Sequence, residues 1–348
     1  MMKAAGSRAG VHIPVNRSFE RELAMLEAMA GQPLDSEGIE RVRKALTHEN
    51  NYLVAKAARL VADNALLALM PEVRAAYDRF FDRPVTTDPQ CWAKNALVKA
   101  LVTLECRDAA VYMRGLRHTQ EEPVWGGNSD TAGTLRGICT HALVLCDGLG
   151  ENQLLDILLT PLLDHDKTVR MEAARAIGQV GSETAALLLK LRVMLRKDDS
   201  EVMGACFSSL LGMERIDRKA TIALVADFLD DGEEAAAEAA FSLAETHDHA
   251  ALDALIARRR IGTDAWFGSV LDNAIALTRL PESMEFLLQV IAEDPRQAAS
   301  ALEAISRVYQ SPDVRLRVLR AVEKAESERA QQAFQKFFPE DRIHSTPE

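Results

Sequence analysis

Apolar residues recur along this chain at the spacing of a helix face. Between residues 166 and 195, Val169, Ala173 and Ile177 fall four residues apart, which places them on one side of a helix. Gly181 and Ser182 follow, and these residue types end one helix and cap the next. The stretch therefore predicts two helices joined by a short turn.

The same pattern returns about every 33 residues. Val202, Cys206 and Leu210 occupy the places of the first set, and Ala235 and Ala239 continue it with Leu243. In chain order, the anchors that we assign are Val61, Leu101, Leu143, Ile177, Leu210, Leu243, Leu277 and Ile305. One helix pair buries too little surface to be stable alone, so this period predicts helix pairs that stack on one another.

One of these units resembles the HEAT repeat, in particular the short variety found in phycobilin-lyase-like HEAT proteins. The residues that carry the resemblance are Asp166, Val169, Arg170, Ala173, Ala174 and a glycine turn at Gly178 or Gly181. The match is partial in later units, where Met203 and Ala236 replace the arginine. The resemblance implies an all-α fold, a right-handed α-solenoid of about eight HEAT-like helical hairpins, and it implies little about function.

The domain organisation that follows is a single solenoid with flexible ends. Its predicted parts are a flexible N-terminus (1–17), the solenoid (18–338) with looser repeats (18–160), regular 33-residue repeats (161–310) and a charged capping helix (313–336), and a flexible tail (339–348).

Composition narrows the class of function. The chain has 348 residues, a formal net charge of −11 and a pI of about 5.3, which argues against a general nucleic-acid binder. No apolar segment has the length of a membrane span, and the first residues lack the apolar core of a signal peptide. The five cysteines form no Cys-x-x-Cys pair, which favours free thiols. We therefore expect a cytoplasmic protein.

The stretch EEPVWGGNSDTAGTLRG, which starts at residue 121, interrupts the helical pattern. It contains Trp125, Gly126 and Gly127, and Asp130 or Ser129 could cap the helix that begins near Thr131. Two interpretations stay open. Trp125 could fold back over the helices while Arg136 pairs with a carboxylate, or Trp125 and the glycines could present a contact surface to a partner.

A second candidate stretch covers residues 86–96. Asp88 could cap a helix whose first residue is Pro89, and Trp92 would lie in its first turn. Both candidate stretches precede the first helix of a unit. Trp92 could therefore join Trp125 in an aromatic platform for a partner, or it could simply pack.

Basic residues at two helix ends form a third candidate. They are Lys190, Arg192, Arg196, Arg258 and Arg259. Such a basic stripe could hold an acidic partner or a phosphate backbone, or its charges could only complement the negative ends of the helices.

Catalytic and metal motifs are poor in this sequence. His247, Asp248 and His249 cluster near Glu245, but they lie at a turn where solvated polar residues are expected, and a structural zinc site needs four well-spaced ligands. We expect no catalytic residue, metal or cofactor. The predicted function is a non-catalytic scaffold or adaptor that binds a protein or peptide. The alternatives are a phycobilin-lyase-like enzyme or chaperone, and a nucleic-acid binder that uses the basic stripe.

Overall fold

Most of the described chain is helical. The structure is a computed structural model, and it describes residues 17–262 and 264–339. Within those residues there are twenty α-helices, three short 3-10 turns and one two-stranded sheet, so the prediction of a mainly helical fold is confirmed. The predicted flexible ends, 1–17 and 339–348, lie outside the described residues except for Arg17 and Pro339.

The chain divides into two compact units, with the boundary between Leu149 and Gly150. The first unit contains α1 Arg17–Ala28, α2 Ser36–Leu46, α3 Asn51–Asp63, α4 Met70–Arg79, α5 Pro84–Thr87, α6 Trp92–Thr103, α7 Ala109–Leu116, β1 Glu121–Val124, β2 Gly127–Asp130 and α8 Gly133–Leu143. In this unit α3 packs against α6, and α6 packs against α8. The core between them is apolar and includes Val61, Leu101 and Leu143, which are fully buried as predicted.

The second unit is more regular. It contains α9 Glu151–Leu162, α10 Lys167–Val180, α11 Glu183–Met194, α12 Ser200–Gly212, α13 Arg218–Ala226, α14 Glu233–Ala244, α15 His249–Ile261, α16 Ala265–Leu277, α17 Pro281–Glu293, α18 Ala298–Val308, α19 Pro312–Ala325 and α20 Glu328–Phe337. Helices α10, α12, α14, α16 and α18 each pack against the next one in this series, and they begin 32 or 33 residues apart. The sequence period thus corresponds to one first helix packed on the next.

Small residues let these helices approach closely. Ala173 and Ala174 on α10 are fully buried, as are Ala239 and Ala240 on α14. A Cβ atom on Gly178 would lie 2.7 Å from the Cβ of a serine on α12, a distance that side chains do not tolerate. Helices that pack in this way need short side chains at the contact, because larger ones force the backbones apart.

The turn between α10 and α11 forms as the sequence predicts. Gly181 has a positive φ of 68° at the end of α10, a conformation that glycine adopts without strain. The Ser182 hydroxyl accepts a hydrogen bond from the amide of Ala185 at 3.1 Å and caps α11.

Two of the predicted anchors are corrected. Leu277 is 37% exposed, and the buried residue 33 positions after Leu243 is its neighbour Ala276. Ala235 is only half-buried, whereas Ala236 is buried. In both cases the neighbouring residues are also apolar, so the sequence pattern does not show which of them faces the core.

The positions one helical turn before the anchors Ile177, Leu210 and Leu243 form a second series, which continues through five first helices. Its members, each 33 residues after the last, are Ala173, Cys206, Ala239, Asp272 and Ile305, and all are fully buried. Ile305 belongs to this register, which explains why its step from Leu277 looked short. The fourth member is an aspartate, so one helix carries a charge where the others carry apolar side chains.

The predicted single capping helix over 313–336 is wrong. Two helices, α19 and α20, cover this segment, and they are separated at Glu326, which has a φ of 47°. A residue in the left-handed backbone conformation ends a helix. Glutamate rarely adopts this conformation, so the break at Glu326 could not be predicted from its residue type.

Candidate functional site

The stretch that interrupts the helical pattern forms a β-hairpin. Strands β1 and β2 pair antiparallel, with Glu121 opposite Asp130 and Val124 opposite Gly127. Gly126 in the turn has a φ of 92°, which favours glycine at this position. The sequence signals of the turn were present, but the short polar strands on either side carry no apolar alternation.

The tip of the hairpin is open to solvent. The Trp125 side chain is 103% exposed and Val124 is 50% exposed. No atom beyond the chain neighbours lies within 4 Å of where a Cβ on Gly126 would stand. Trp125 therefore does not fold back over the helices, and the largest apolar side chain of the hairpin has no packing role within the described residues.

Beneath the tip, the hairpin is anchored by a buried carboxylate. Glu122 on β1 is only 8% exposed. Its Oε1 atom accepts hydrogen bonds from the Gln120 amide group (2.6 Å), the Thr131 hydroxyl (2.7 Å) and the backbone N–H of Gln90 (2.6 Å). Because these donors belong to both ends of the hairpin and to the turn before α6, the carboxylate joins three segments of the chain.

A second buried carboxylate closes the other strand. Asp130 accepts from the N–H groups of Gln120 (2.9 Å) and Ala132 (3.0 Å), and its Oδ2 binds the Arg136 guanidinium at 2.6 Å. Both charged side chains are at most 5% exposed. Arg136 also donates to the His118 carbonyl at 3.1 Å. Arg136 therefore pairs with a carboxylate, as one interpretation proposed, and that carboxylate is Asp130.

The predicted cap of α8 is corrected by the same geometry. The helix begins at Gly133, with Ala132 at the capping position and no side-chain cap. Asp130 is committed to Arg136 and to the amides of the hairpin base, so it fixes the hairpin to the start of the helix without capping it.

Burial raises the pKa of both carboxyls, but their hydrogen bonds outweigh burial. The pKa of Glu122 lies below its ordinary value of 4.5 because the Thr131 hydroxyl, the Gln120 amide group and the Gln90 amide favour the charged form. The amides of Gln120 and Ala132 and the Arg136 guanidinium similarly lower the pKa of Asp130. Both groups are charged at neutral pH, and each stabilises the folded hairpin in that form.

Because Glu122 stabilises the fold in its charged form, its contribution to the free energy of unfolding depends on pH. We expect Glu122→Gln to lower the free energy of unfolding by about 1–3 kcal/mol at pH 7, since hydrogen bonds to a charged group are lost. A carboxyl with a lowered folded pKa stabilises the protein above its ordinary pKa, and this contribution disappears as pH falls through the folded pKa. Chemical denaturation should show the difference shrinking below pH 4.5. A difference that stays constant or grows as pH falls contradicts this assignment.

Asp88 caps α6, but across an unusual turn. Pro89 is not the first residue of α6, since it begins a 3-10 turn in which Gln90 and Cys91 have φ values of 58° and 55°. The Asp88 carboxylate reaches past this turn and accepts from the amides of Ala93 (2.8 Å) and Lys94 (3.0 Å). The predicted cap is thus present, while the predicted position of Pro89 is wrong.

The Lys94 side chain balances the charge of Asp88. Its Nζ lies 3.0 Å from Asp88 Oδ2, and both side chains are fully buried. The Lys94 ammonium also donates to the carbonyl of Phe80 at 3.3 Å. Asp88 is tied to the hairpin as well, because its carbonyl accepts from the Gln120 amide group at 2.9 Å. The start of α6 and the hairpin base therefore share one buried polar network.

Trp92 lies beside a groove between α3 and α6. Its ring is 49% exposed and stands 5.8 Å from the ring of Tyr52 on α3, at an angle of 57°. A groove of about 570 Å³ runs from this pair along α3 and α6. Among the described aromatic contacts, the ring partner of Trp92 is Tyr52. An aromatic platform shared by Trp92 and Trp125 stays a prediction.

The basic stripe is paired with acidic residues inside the second unit. Arg192 pairs with Asp198, Arg196 with Asp231, Arg258 with Asp230 and Arg259 with Asp272. Lys190 is half-buried. The four arginine charges are balanced within the fold, and an anionic partner at this stripe would compete with these carboxylates.

The candidate metal cluster does not converge. The His247 ring lies 2.9 Å from the carbonyl of Thr278, and Asp248 caps α15 through the amide of Ala250 at 2.8 Å. Among residues 17–262 and 264–339, no group of three or more histidine, cysteine, aspartate or glutamate side chains is arranged to hold a metal ion. His247 and Asp248 are thus engaged separately, the first with the end of α16 and the second with the start of α15.

Sequence reasoning missed two exposed features of the second unit. Helix α11 and the residue that ends it carry an apolar stripe of Leu187, Leu191, Met194 and Leu195, each at least 51% exposed. Trp266, in the first turn of α16, is 47% exposed. The sequence holds a signal for this stripe, because these leucines repeat at helical spacing opposite the buried Ala185.

Comparisons with known proteins give no indication of function, so the proposal below is based on the geometry of the site. No protein-family model matches the chain, and no curated protein matches its sequence. None of the helices in the described parts of the chain has both the length and the apolar character needed to cross a membrane.

Proposed function

We propose that this protein is a non-catalytic binding protein that captures a partner protein with the tip of its hairpin. The observation that carries the proposal is the full exposure of Trp125 above a base held by Glu122 and Asp130. Tryptophan is among the residues that contribute most to protein interfaces when a partner buries it.

The rigid base matters as much as the exposed tip. Binding is weakened when loops must be ordered on contact, at a cost of about 0.5–1.5 kcal/mol for each immobilised side chain. The base of this hairpin is already fixed by the Asp130–Arg136 ion pair and by backbone amides that donate to Glu122 and Asp130. Trp125 would therefore meet its partner from a backbone that is ordered beforehand.

The wider architecture suits the same function. We propose that the stacked helix pairs form a HEAT-like α-solenoid, and such arrays present long surfaces for binding other proteins. The net charge of −11 and the absence of membrane-crossing helices among the described residues fit a cytoplasmic adaptor. The phycobilin-lyase-like and nucleic-acid-binding alternatives stay hypotheses, and the contacts of the hairpin favour neither.

Replacing Trp125 by alanine should weaken partner binding without weakening the fold. A tryptophan buried at the centre of an interface contributes about 2–4 kcal/mol, so the affinity should fall about thirtyfold or more. Affinity capture from the native cell, followed by titration of the captured partner, measures the change. Thermal unfolding should be the same for both proteins, because exposed side chains contribute little to stability.

A matched control is Leu67→Ala, which removes another apolar side chain that is 63% exposed in the same unit. This variant should capture the partner as well as the unchanged protein does. If Trp125→Ala binds equally well, or if its melting temperature falls by several degrees, the hairpin tip is not the contact surface that we propose.

A further inference from the structure

The groove between α3 and α6 has two chemically different ends. At one end the rings of Tyr52 and Trp92 stand together, each in the first turn of its helix. Further along, Arg59 on α3 and Lys99 on α6 line the same groove. Between these ends the lining includes Ala55 and Ala96, together with Lys56 and Asn95. The groove therefore offers an apolar surface followed by positive charge.

The two cations at the far end are not used by the fold. Arg59 and Lys99 are exposed, and neither has an ion-pair partner among residues 17–262 and 264–339. Lys56, which also lines the groove, differs because its Nζ binds Glu27 at 3.0 Å. In a chain with a net charge of −11, two unpaired cations in one groove are suited to an anionic group from a partner.

The distance between the aromatic end and the basic end of the groove determines how far apart the two contact groups of a bound peptide must be. Arg59 follows Tyr52 by seven residues, and Lys99 follows Trp92 by the same number. Seven residues of helix rise roughly 10 Å. An extended peptide covers that distance in about three residues.

We propose that this groove binds an acidic, extended segment of a partner protein. An apolar or aromatic side chain of the segment packs on Tyr52 and Trp92, and a carboxylate about three residues away lies between Arg59 and Lys99. The inference rests on the proposed function, because it describes a segment of a protein partner. It adds a second surface to the hairpin tip.

A peptide fits this groove better than a nucleic acid does. A phosphate backbone requires a row of cations, whereas here two are unpaired and Asp63 lines the groove one helical turn beyond Arg59. Glu27 adds further negative charge beside Lys56. A single carboxylate between two cations is compatible with these neighbours, and a polyanion is repelled by them.

The test uses the full chain and a series of fluorescent synthetic peptides. Each peptide carries one tryptophan and a pair of glutamates, and the series varies the number of serine and glycine residues between them. Fluorescence anisotropy should show the tightest binding when the tryptophan and the first glutamate are about three positions apart. The double variant Arg59→Glu/Lys99→Glu should bind this peptide at least about tenfold more weakly.

Two controls separate local from general effects. Lys197→Glu/Lys219→Glu makes the same change in net charge with two exposed lysines of the second unit, and it should leave peptide affinity within about twofold. A peptide in which lysines replace the glutamates should prefer the Arg59→Glu/Lys99→Glu protein, because the charges of the groove are then reversed.

Three results would overturn the inference. They are equal binding of peptides with all spacings, an effect of Arg59→Glu/Lys99→Glu no larger than that of its control, and tighter binding of a thymidine oligonucleotide through the same two residues. The hairpin proposal is tested separately, by whether partner capture depends on Trp125. Trp125→Ala should leave binding of the synthetic peptide to the groove unchanged. If partner capture depends on Trp125 while no peptide binds the groove, only this inference fails.

Discussion

Replacing Asp88 by alanine is expected to lower the free energy of unfolding by about 3–5 kcal/mol. The substitution leaves the Lys94 ammonium fully buried without its carboxylate, and it removes the acceptor for two amides at the start of α6. A buried charge that loses its partner is among the largest destabilising changes a single substitution can make. Denaturant unfolding followed by Trp92 fluorescence, with Trp125 and Trp266 changed to phenylalanine, measures this loss in the first unit.

Two further variants identify the cause of that loss. Asp63→Ala removes an exposed aspartate from the same unit and should change stability by no more than about 0.5 kcal/mol. Adding Lys94→Met to Asp88→Ala removes the uncompensated charge and should recover part of the lost stability. If Asp88→Ala unfolds at the same denaturant concentration as Asp63→Ala, the buried pair does not support the hairpin base as we describe.

Replacing Asp272 by alanine should have a similar effect in the second unit. Asp272 binds the Arg259 guanidinium through two hydrogen bonds of 2.8 and 3.1 Å, and the Ser300 hydroxyl donates to it at 2.6 Å. Three helices, α15, α16 and α18, thus meet at one fully buried carboxylate. Its loss leaves Arg259 buried and unpaired, and we expect a cost of about 3–5 kcal/mol. Trp266 lies on α16 and reports unfolding of this unit by fluorescence.

The repeat register suggests an informative rescue. Equivalent positions on the other first helices hold Ala173, Cys206, Ala239 and Ile305, so an apolar residue at 272 is compatible with the packing. Changing Arg259 to methionine together with Asp272→Ala should restore most of the lost stability, since apolar replacements of a buried ion pair are often neutral. Asp253→Ala, at an exposed position of α15, is the control. If the double variant is less stable than Asp272→Ala alone, the buried arginine is not the source of the loss.

The architecture of the second unit was largely readable from sequence. The spacing of Val169, Ala173 and Ile177 predicted α10, and Gly181 with Ser182 predicted its end and the cap of α11. These features depend on residues within about one helical turn of each other in sequence. They can therefore be predicted without knowing the tertiary contacts. The register failed at Leu277, because adjacent apolar residues satisfy the pattern equally well and only packing decides between them.

The candidate site was less predictable because its contacts are distant in sequence. The unusual composition predicted Trp125, Asp130 and Arg136 as site residues. Asp130 was expected to cap the next helix, but in the structure it is the carboxylate that pairs with Arg136. The role of Glu122 was missed. Its partners include Gln90, which lies 32 residues away, and a single sequence does not show which polar residues meet across that distance.

The groove was also missed, for a related reason. Tyr52 and Trp92 lie on different helices of different pairs, and they meet only because α3 packs against α6. The exposed state of Arg59 and Lys99 likewise depends on which acidic residues the fold brings near. Exposure and pairing are tertiary properties, whereas the sequence pattern mainly reports which face of a helix is apolar.

The most direct test of the central claim is photo-crosslinking from position 125. A benzophenone amino acid replaces Trp125 in the full chain, and the protein is irradiated in its native cell. The account predicts a discrete crosslink to a partner protein, which disappears when unmodified protein is present in excess. Crosslinks confined to this chain itself, or no crosslink from a side chain that stands free in solvent, would contradict the claim that the hairpin tip is a binding surface.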